Sequence, residues 1–545
     1  MRQIFKIMFR QFIFLLLFSG FCFGQQWTQK GNTIQGVTGD LAGYMSMNAN
    51  GDVIVVGAPY NSNVGEKSGK VRVLKFQNGA WSQIGQDLLG EAAGDQAGLA
   101  VALSDDGQTV AFGSRYNQTN GANAGQVKIY KYDGTTWNQV GQTLNGPEKS
   151  YFGASVRFNA DASRLVVGAY FDSVSTQSSG MVQIFTLDGT NWLQVGQTIY
   201  GGTDKSFGFA VDINETGNII ASVSSQGKGK IYQLDGSIWL QTAVFAGSYS
   251  SVSLNSAGTV VALGDSLSND GGLFMGKVNV YKNTNNVWSS LGAPFYGTFS
   301  FGYFGQGITL NGEGNILAIG TQNINSQVGK VNVYKFYNDK WNAFGNELNG
   351  TIANENFGFQ MKFNKSGDVL GVGSLNGNVV RAFEYSCQLA APTAEANQLY
   401  VAGKTLADLT VTHTGTLKWF ADQALTTELP STTVLESGKT YYVLQVSDTC
   451  TSGSISITVT PTLAVNDTKG NTNKYYPNPV VNQFTIDSNE IIDNIEVYSF
   501  TGKLVLTKAI NSKSTTLNLS TLTSGNYIVK VSGAGKTEII KIIKK

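Results

Sequence analysis

The chain has 545 residues, more than one hydrophobic core usually organises, so several domains are expected. Its 38 Lys+Arg and 37 Asp+Glu leave a net charge of +1, which gives no reason to expect nucleic acid or an anionic membrane as a partner. One histidine, His413, and three cysteines exclude histidine-rich metal sites and zinc sites made of four cysteines or of two cysteines and two histidines. The 65 glycines and 14% charged residues favour a β-rich protein with many tight turns, and no cofactor is expected.

The N-terminal segment has the pattern of a secretory signal peptide. Its basic start is formed by Arg2, Lys6 and Arg10. The apolar run that follows, residues 12–18, is far shorter than the ~20 residues that span a bilayer. Cys22 and Gly24 are small residues at the positions that signal peptidase reads, so we expect cleavage between Gly24 and Gln25. The alternative is lipidation of Cys22, which Phe21 disfavours because a small residue is needed there. No other stretch is apolar enough to span a bilayer, so the mature chain is predicted to be exported without a transmembrane segment.

A repeat of about 50 residues occupies the next part of the chain. Its clearest mark is a tryptophan that recurs every 47–56 residues, at Trp27, Trp81, Trp137, Trp192, Trp239, Trp288 and Trp341. Each copy contains four short runs with period-two alternation or β-branched enrichment, which predict four strands. Asp-Gly or Asn-Gly pairs such as Asp188-Gly189 predict the hairpin between the third and fourth strands.

One such unit cannot bury enough apolar surface to fold alone, so the copies must stack. Radial stacking of four-stranded units gives a β-propeller, and the alternative is a linear β-solenoid. The first Trp strand, near Trp27, has no three strands before it, while the last copy, residues 357–385, has no Trp strand after it. We therefore predict an all-β fold with a seven-bladed β-propeller at residues 25–386, whose N-terminal strand completes the last blade.

Short motifs recur in the repeats, namely Phe152-Gly153, Val167-Gly168-Ala169, Phe207-Gly208, Phe357-Gly358 and Val56-Gly57-Ala58-Pro59. Through these motifs the repeats resemble the FG-GAP class, the propeller repeat of integrin α-chains, in its bacterial variants. Integrin-type blades often hold a D-x-D-x-D-G calcium loop. The corresponding turns here, at 48–52, 104–107 and 364–368, lack three alternating carboxylates, so they are predicted to be plain turns without metal.

After the repeats, residues 387–460 are rich in Thr, Val and Leu and predict a small β-sandwich. The stretch from Leu417 to Cys450 resembles the immunoglobulin-like modules of secreted Bacteroidetes proteins. Once the signal is removed, Cys387 and Cys450 are the two remaining cysteines, and an even pair in an exported protein suggests a disulfide. Two unpaired buried thiols are the alternative. Residues 461–474 are polar and predict a linker.

The last segment, residues 475–545, contains Tyr476, Pro477, Asn478, Pro479, Gly502, Lys503, Gly525 and Tyr527 in this order. Through these residues it closely resembles the type A C-terminal sorting domain of the type IX secretion system. From the residues alone, the alternating Ile/Val runs predict only a second small β-sandwich. The resemblance implies that an outer-membrane translocon recognises the segment and that a sortase-like enzyme removes it. The protein is therefore expected to pass through the periplasm and to be secreted or held at the outer-membrane surface.

Two short matches resemble the Asp-Ser/Thr-aliphatic site of Bacteroidetes O-glycosylation. They are Asp172-Ser173-Val174 and Asp265-Ser266-Leu267, and both fall in loops predicted between second and third strands. Ser173 and Ser266 are therefore candidate glycan acceptors, and chance matches are the alternative.

Function is predicted as non-catalytic binding of an extracellular glycan or protein. No catalytic, cofactor-binding or metal site is predicted. An extracellular carbohydrate-active enzyme with its site over the propeller channel is the alternative, since two carboxylates distant in sequence can meet in space. A third interpretation is an adhesin or matrix component. Arg, Glu, Asp or Tyr clustered at one mouth of the channel would favour the enzyme, but the loops there are mostly Asn, Ser, Gly and Gln.

Overall fold

The computed structural model describes residues 26–171, 179–225, 227–323, 327–386, 389–447, 450–462 and 473–545. Within these ranges the fold is all-β, with one short 3-10 helix, Leu406–Asp408. The chain divides into two compact units, one ending at Ala390 and the other beginning at Ala391.

In the described part of the first unit the strands form seven sheets, here numbered 1–7 in the order of their first strands. Sheet 1 contains Tyr44–Met47, Val53–Ala58, Lys70–Gln77, Ala80–Gln83 and the short Leu88–Leu89. Sheet 2 contains Ala100–Leu103, Thr109–Ser114, Gln126–Tyr132, Trp137–Gln139 and Leu144–Asn145. Sheet 3 contains Ser155–Phe158, Arg164–Ala169, Met181–Asp188, Asn191–Gln194 and Ile199–Tyr200. Sheet 4 contains Phe207–Ile213, Ile219–Ser224, Gly227–Asp235 and Ile238–Tyr249.

The remaining three sheets repeat the pattern. Sheet 5 contains Ser251–Leu254, Val260–Asp265, Lys277–Thr284, Val287–Ser290 and Phe295–Tyr296. Sheet 6 contains Ile308–Leu310, Ile316–Thr321, Lys330–Tyr337, Lys340–Ala343 and Leu348–Asn349. Sheet 7 contains Phe357–Phe363, Val369–Ser374 and Val379–Ser386, together with Gln26–Gln29 and Ile34–Gln35 from the other end of the unit. In every sheet the four main strands are antiparallel neighbours in the order first, second, third, fourth.

The sheets are arranged in a cycle around their first strands. The first strand of each sheet contacts the first strand of the next sheet, and the first strand of sheet 7 contacts that of sheet 1. The second strands are almost wholly buried; Val53–Ala58 of sheet 1, for example, is buried at all six positions. Each sheet thus packs both of its faces against neighbours, which explains why these strands read as continuous apolar runs.

The repeated tryptophan ties each sheet to the one before it. Six indole Nε1–H groups donate to a carbonyl oxygen of the preceding sheet at 2.7–3.0 Å; the pairs are Trp27–Phe344, Trp81–Lys30, Trp137–Ile84, Trp192–Val140, Trp239–Val195 and Trp341–Leu291. A buried indole needs such an acceptor, because an unpaired N–H in an apolar site is costly. The tryptophan therefore recurs because it both fills the space between neighbouring sheets and bonds across it.

The N-terminal strand closes the cycle as the sequence predicts. Gln26–Gln29 pairs antiparallel with Val379–Ser386, with Trp27 opposite Tyr385. The Trp27 ring is buried against Phe363 and Tyr385, with ring centroids 6.0 and 5.3 Å away. The two ends of the unit are therefore joined in one sheet.

Glycine allows neighbouring sheets to approach at the end of the second strand. A Cβ on Gly57 would lie 1.8 Å from the carbonyl oxygen of Gly98 in the next sheet. The same contact closes the cycle, since a Cβ on Gly373 would lie 2.0 Å from the carbonyl oxygen of Gly43. The repeated Gly in runs such as Val167-Gly168-Ala169 is thus required by backbone-to-backbone packing.

The second unit contains two separate sheets in its described residues. The first is a six-stranded sheet made of Asn397–Tyr400, Ile455–Pro461, Thr440–Ser447, Thr416–Phe420, Glu428–Leu429 and Cys450–Thr451. Trp419 is a buried core residue of this sheet. A two-sheet immunoglobulin-like sandwich is not confirmed, because the strand predicted at 409–412 forms only an isolated bridge between Thr393 and Thr412.

The other sheet has five strands. They are Lys474–Tyr476, Gln483–Ser499, Leu504–Asn518, Gly525–Gly533 and Lys536–Lys544. Their alternating apolar residues, including Phe484, Ile495, Val529 and Ile542, form one buried cluster. The predicted β-character of the tail is confirmed, whereas its organisation as a sandwich is not.

Closure by the N-terminal strand makes a testable difference to stability. We expect Trp27→Ala to lower the free energy of unfolding by about 3–5 kcal/mol, the usual cost of truncating a buried Trp. Urea unfolding of the full chain, followed by Trp fluorescence, measures the change. Leu193→Ala is the control, because Leu193 is 49% exposed on the fourth strand of sheet 3. Equal stabilities of the two variants would contradict closure by this strand.

Candidate functional site

A channel runs along the centre of the cycle of first strands and contains two cavities. One, of about 80 Å³, is lined by the turns between first and second strands. The other, of about 230 Å³, is lined by the starts of the first strands and the residues that follow the second strands. Arg157 lines both cavities and so marks the boundary between the two ends of the channel.

A closed cycle of backbone hydrogen bonds surrounds the smaller cavity. Each sheet contributes one turn residue whose N–H donates to the carbonyl oxygen of the equivalent residue in the next sheet, at 2.8–3.2 Å. The members are Ala49, Asp105, Ala160, Glu215, Ser256, Gly312 and Lys365, and Lys365 donates back to Ala49. We call this set the backbone ring. It joins the seven turns directly and narrows the channel at this end.

The residue before each ring member explains why Asn is so frequent in these turns. Its side-chain oxygen accepts the backbone N–H five residues later at 2.8–2.9 Å; the residues are Asn48, Ser104, Asn159, Asn214, Asn255, Asn311 and Asn364. All seven side chains are buried. The turns at 48–52, 104–107 and 364–368, which correspond to the calcium loops of integrin-type blades, thus use their polar side chains to bond their own backbone.

Charged side chains accompany the backbone ring. Lys365 Nζ lies 2.7 Å from Glu215 Oε1 across the ring, and both side chains are half-exposed. Burial raises the pKa of Asp105, while Lys362 and Lys365 act in the opposite direction. Opposite charges therefore meet at this end, and no single sign dominates it.

Aromatic side chains dominate the other end of the channel. The Tyr44 ring meets the Phe359 ring edge-to-face, with centroids 5.6 Å apart. The Tyr170 ring stacks on Tyr151 at 5.2 Å and contacts Phe209 at 6.1 Å. Because sheets 1, 3, 4 and 7 all contribute, these rings surround the larger cavity from several sides.

The positively charged side chain of Arg115 lies among these rings. The Arg115 guanidinium carbon is 4.8 Å from the Tyr116 ring centroid and 5.8 Å from that of Tyr170. Such a position over ring faces stabilises the charge. We call Tyr44, Arg115, Tyr170, Phe209 and Phe359 the aromatic mouth.

Two amides are oriented beside the aromatic mouth. Gln360 Oε1 accepts the Met45 N–H at 2.8 Å, and Gln306 Oε1 accepts the Ser266 hydroxyl at 2.8 Å. With Oε1 engaged, Nε2 is the half of each amide that a ligand oxygen would meet. The larger cavity thus combines rings, a guanidinium and amide donors, which is a typical composition for a binding site.

Burial changes the acidity of the mouth tyrosines. It raises the pKa of Tyr44 to about 12, although the Arg115 charge opposes the rise. Burial likewise raises the pKa of Tyr170, again against Arg115. Both hydroxyls therefore remain protonated at neutral pH and can donate a hydrogen bond.

The expectation that neither mouth gathers Arg or Tyr is wrong for this cavity. The residues come from separate repeats and lie at strand ends, whereas the expectation was based on the composition of the variable loops. Aligning the repeats would have found part of the site. The residue after the Phe-Gly pair is Phe in two copies, Phe209 and Phe359, and the residue after the second strand is Arg115 in one copy and Tyr170 in the next.

The two candidate glycan acceptors have different outcomes. Ser173 lies outside the described residues. Ser266 is 1% exposed, and its hydroxyl hydrogen-bonds Gln306 and Ser250. The folded chain therefore does not present Ser266 to a glycosyltransferase, because the residue turns inwards beside the channel.

The remaining predicted positions fall in several places. Gly24, Gln25 and Cys387 lie outside the described residues. Cys450 is disulfide-bonded, and the predicted pairing with Cys387 stays a prediction. His413 is exposed, with Nδ1 2.7 Å from the Gly415 carbonyl oxygen.

Among the described residues no cluster of His, Cys, Asp and Glu is arranged to hold a metal ion. No helix in the same residues is long and apolar enough to cross a bilayer.

The first group of sorting-motif residues anchors the last strand of the tail. Asn478 Nδ2 donates to the Lys541 carbonyl oxygen at 2.9 Å, and Asn478 Oδ1 accepts the Ile543 N–H at 2.9 Å. Tyr476 donates its hydroxyl to Asp487 at 2.6 Å. Pro477 and Pro479, each after a cis peptide bond, flank Asn478. The Tyr-Pro-Asn-Pro segment therefore holds the first and last strands of the tail together.

The second group forms turns and core. Gly502 has a φ of +83° in the turn between the two longest strands, where its N–H donates to Ser499. Lys503 is exposed beside it. Gly525 begins the next strand, and Tyr527 is buried with its hydroxyl donating to the Thr523 carbonyl oxygen at 2.9 Å. These residues are therefore explained by the fold of the tail itself.

Comparison with known proteins identifies the tail. Residues 474–545 match the family described as secretion system C-terminal sorting domain. Among solved structures, the β-propeller domain of Cps50 (Swd1) from Myceliophteria thermophila is similar, with 10% identity and a TM-score of 0.47, over 66% of this chain and 100% of that one. No curated protein sequence matches the chain.

The raised pKa of Tyr44 predicts a pH effect on stability. Below pH 10 the side chain is neutral in both the folded and the unfolded chain, so its contribution is fully present. Between about pH 10 and 12 the unfolded chain ionises first, and stability falls by about 2–3 kcal/mol. Tyr44→Phe removes this loss. Between about pH 10 and 12 the free energy of unfolding of the variant should therefore fall less than that of the parent. Urea unfolding from pH 9 to 12 measures it, and parallel curves for the two proteins would contradict the assignment.

Proposed function

We propose that this protein is a secreted or surface-displayed, non-catalytic binding protein whose ligand site is the aromatic mouth of a seven-bladed β-propeller. The sorting domain at its C-terminus indicates export by the type IX secretion system, to the cell surface or the medium. The observation that carries the binding role is the clustering of Arg115 with four aromatic side chains at the open end of a channel.

The propeller assignment is supported by the order of strands and by cyclic contact. Seven sheets with the same strand order in the described residues, and first strands that contact one another in a closed series, are what radial stacking requires. The close approach of Gly57 to Gly98 supports the FG-GAP resemblance, because it gives the Gly-Ala part of the repeat a packing role.

The proposed export route has two stages, one for each end of the chain. A signal peptide cleaved before Gln25 would deliver the chain to the periplasm, and the translocon and a sortase would act on residues 475–545. The exposed Lys503 and Phe500 lie on the turn of that domain and are open to a partner.

Binding, rather than hydrolysis, is favoured by the groups that line the larger cavity. Its described lining consists of aromatic rings, amides, hydroxyls, apolar groups and two guanidinium groups. Arg and Tyr gathered at one mouth would favour an enzyme if carboxylates accompanied them, but no carboxylate lines this cavity among the described residues. These groups therefore orient a ligand through hydrogen bonds and aromatic contacts. A retaining or inverting glycosidase uses a pair of carboxylates about 5–10 Å apart.

A combined binding and turnover assay tests this function. The secreted protein is applied to a glycan array and to a panel of extracellular matrix proteins, and polysaccharides in solution are assayed for new reducing ends. We expect binding without release of reducing ends, and loss of at least tenfold in affinity in Tyr170→Ala. Tyr200→Ala is the control, since Tyr200 is 45% exposed on a short strand outside the cavity.

Two results would contradict the proposal. Steady release of reducing ends would favour the carbohydrate-active enzyme. Binding that survives unchanged in Tyr170→Ala would place the ligand elsewhere on the protein.

A further inference from the structure

The most unusual polar group in the larger cavity is the side chain of Arg115. Its Nε atom is buried and has no hydrogen-bond partner among the described residues. A guanidinium stays charged and offers five N–H donors in a fixed fork. A buried donor left unpaired is costly, so its presence here points to an acceptor that arrives from outside.

The charges around the cavity favour an anion as that acceptor. Arg115 and Arg157 both line it, and no carboxylate does among the described residues. The walls between them are largely aromatic and aliphatic, so the two positive charges are less screened than on an open surface. A carboxylate matches the fork of a guanidinium through two parallel hydrogen bonds, as a phosphate also does.

The rest of the lining indicates what carries the carboxylate. Tyr44, Tyr170 and Phe209 present ring faces or edges around the cavity, and the negative face of a ring attracts the C–H groups of a sugar. Ser155, Ser250 and Ser251 also line it, but their hydroxyls already bond the Gly208 carbonyl, Ser266 and the Gly305 carbonyl, so they would meet sugar hydroxyls mainly as acceptors beside the two amide donors. At about 230 Å³ the cavity is smaller than the ~300–1,000 Å³ of usual ligand pockets, which suits a single sugar ring at the end of a chain.

We infer that the aromatic mouth binds an acidic sugar, with Arg115 pairing its carboxylate and the rings of Tyr44, Phe209 and Phe359 contacting its C–H groups. This inference rests on the proposed binding function and names its ligand class. An acidic peptide would satisfy the same guanidinium, but it would not use the combination of stacked rings, hydroxyls and amides in so small a cavity.

The test compares a charged probe with its neutral ester. Trigalacturonic acid and its methyl ester are titrated into the secreted protein by isothermal calorimetry, at low and high salt. We expect the acid to bind at least tenfold more tightly than the ester, and high salt to weaken the acid alone. Arg115→Gln should remove this preference, whereas Arg115→Lys should keep part of it.

Arg72→Gln is the matched control, because Arg72 lies outside the cavity on the third strand of sheet 1 and bonds the Gln35 carbonyl oxygen. Circular dichroism melting of each variant verifies its fold. The comparison of acid with ester uses the parent protein, so it does not depend on any variant folding. Retained preference for the acid in Arg115→Gln would overturn the inference.

The remaining outcomes separate this inference from the proposed function. Equal binding of acid and ester, with both lost in Tyr170→Ala, would overturn the acidic class while leaving a glycan-binding mouth. Preferential binding of a hexaglutamate peptide would overturn the sugar class. No binding of any probe, together with release of reducing ends from a polysaccharide, would overturn the proposed function as well.

Discussion

Seven backbone hydrogen bonds in a closed cycle are the interaction on which the rest of the first unit depends. Each joins the turn of one sheet to the turn of the next, and the last returns from Lys365 to Ala49. The cycle closes only when all seven sheets are present, and the N-terminal strand completes the seventh sheet by pairing with Val379–Ser386. The buried Asn48 and its equivalents serve the same end, because they fix the shape of each turn and so aim its N–H at the next ring member. Local turn chemistry and global closure therefore support each other.

This closure determines where function can reside. At the backbone ring the seven turns are bonded to one another, and the residue before each ring member is restricted to Asn, or Ser in one repeat. At the opposite end the strands diverge and the side chains face a cavity, so each repeat is free to contribute a different residue. Tyr44, Arg115 and Tyr170 are examples: their equivalents in other repeats are Ala100, Pro59 and Ser225, which the fold accepts equally well. A ring of near-identical sheets thus supports a site that has no internal symmetry.

Much of the architecture could be predicted because it repeats. Seven tryptophans, the Asp-Gly hairpins and the unmatched first strand predicted the strand order and the joining of the two ends. The sorting motif predicted the identity of the tail. The site could not be predicted in the same way, since Arg115 and Phe359 are far apart in sequence and meet only through the cycle. The position of Ser266 could not be predicted either. Its place between two strands predicts an exposed loop, but its side chain turns inwards and bonds Gln306. The predicted immunoglobulin-like sandwich lacks its expected strand at 409–412, where Thr and Val are frequent but no continuous partner strand is available.

Native-state hydrogen exchange, read by mass spectrometry on peptides that cover the ring turns, tests the central claim most directly. Backbone amides in surface turns normally exchange their hydrogens quickly, through local opening of the structure. If the backbone ring closes the cycle, the amides of Ala49, Gly312 and Lys365 will exchange as slowly as those of the buried second strands, and far more slowly than those of the rim hairpin at Asp188-Gly189. Exchange of the ring amides as fast as that of the rim hairpin would contradict the account.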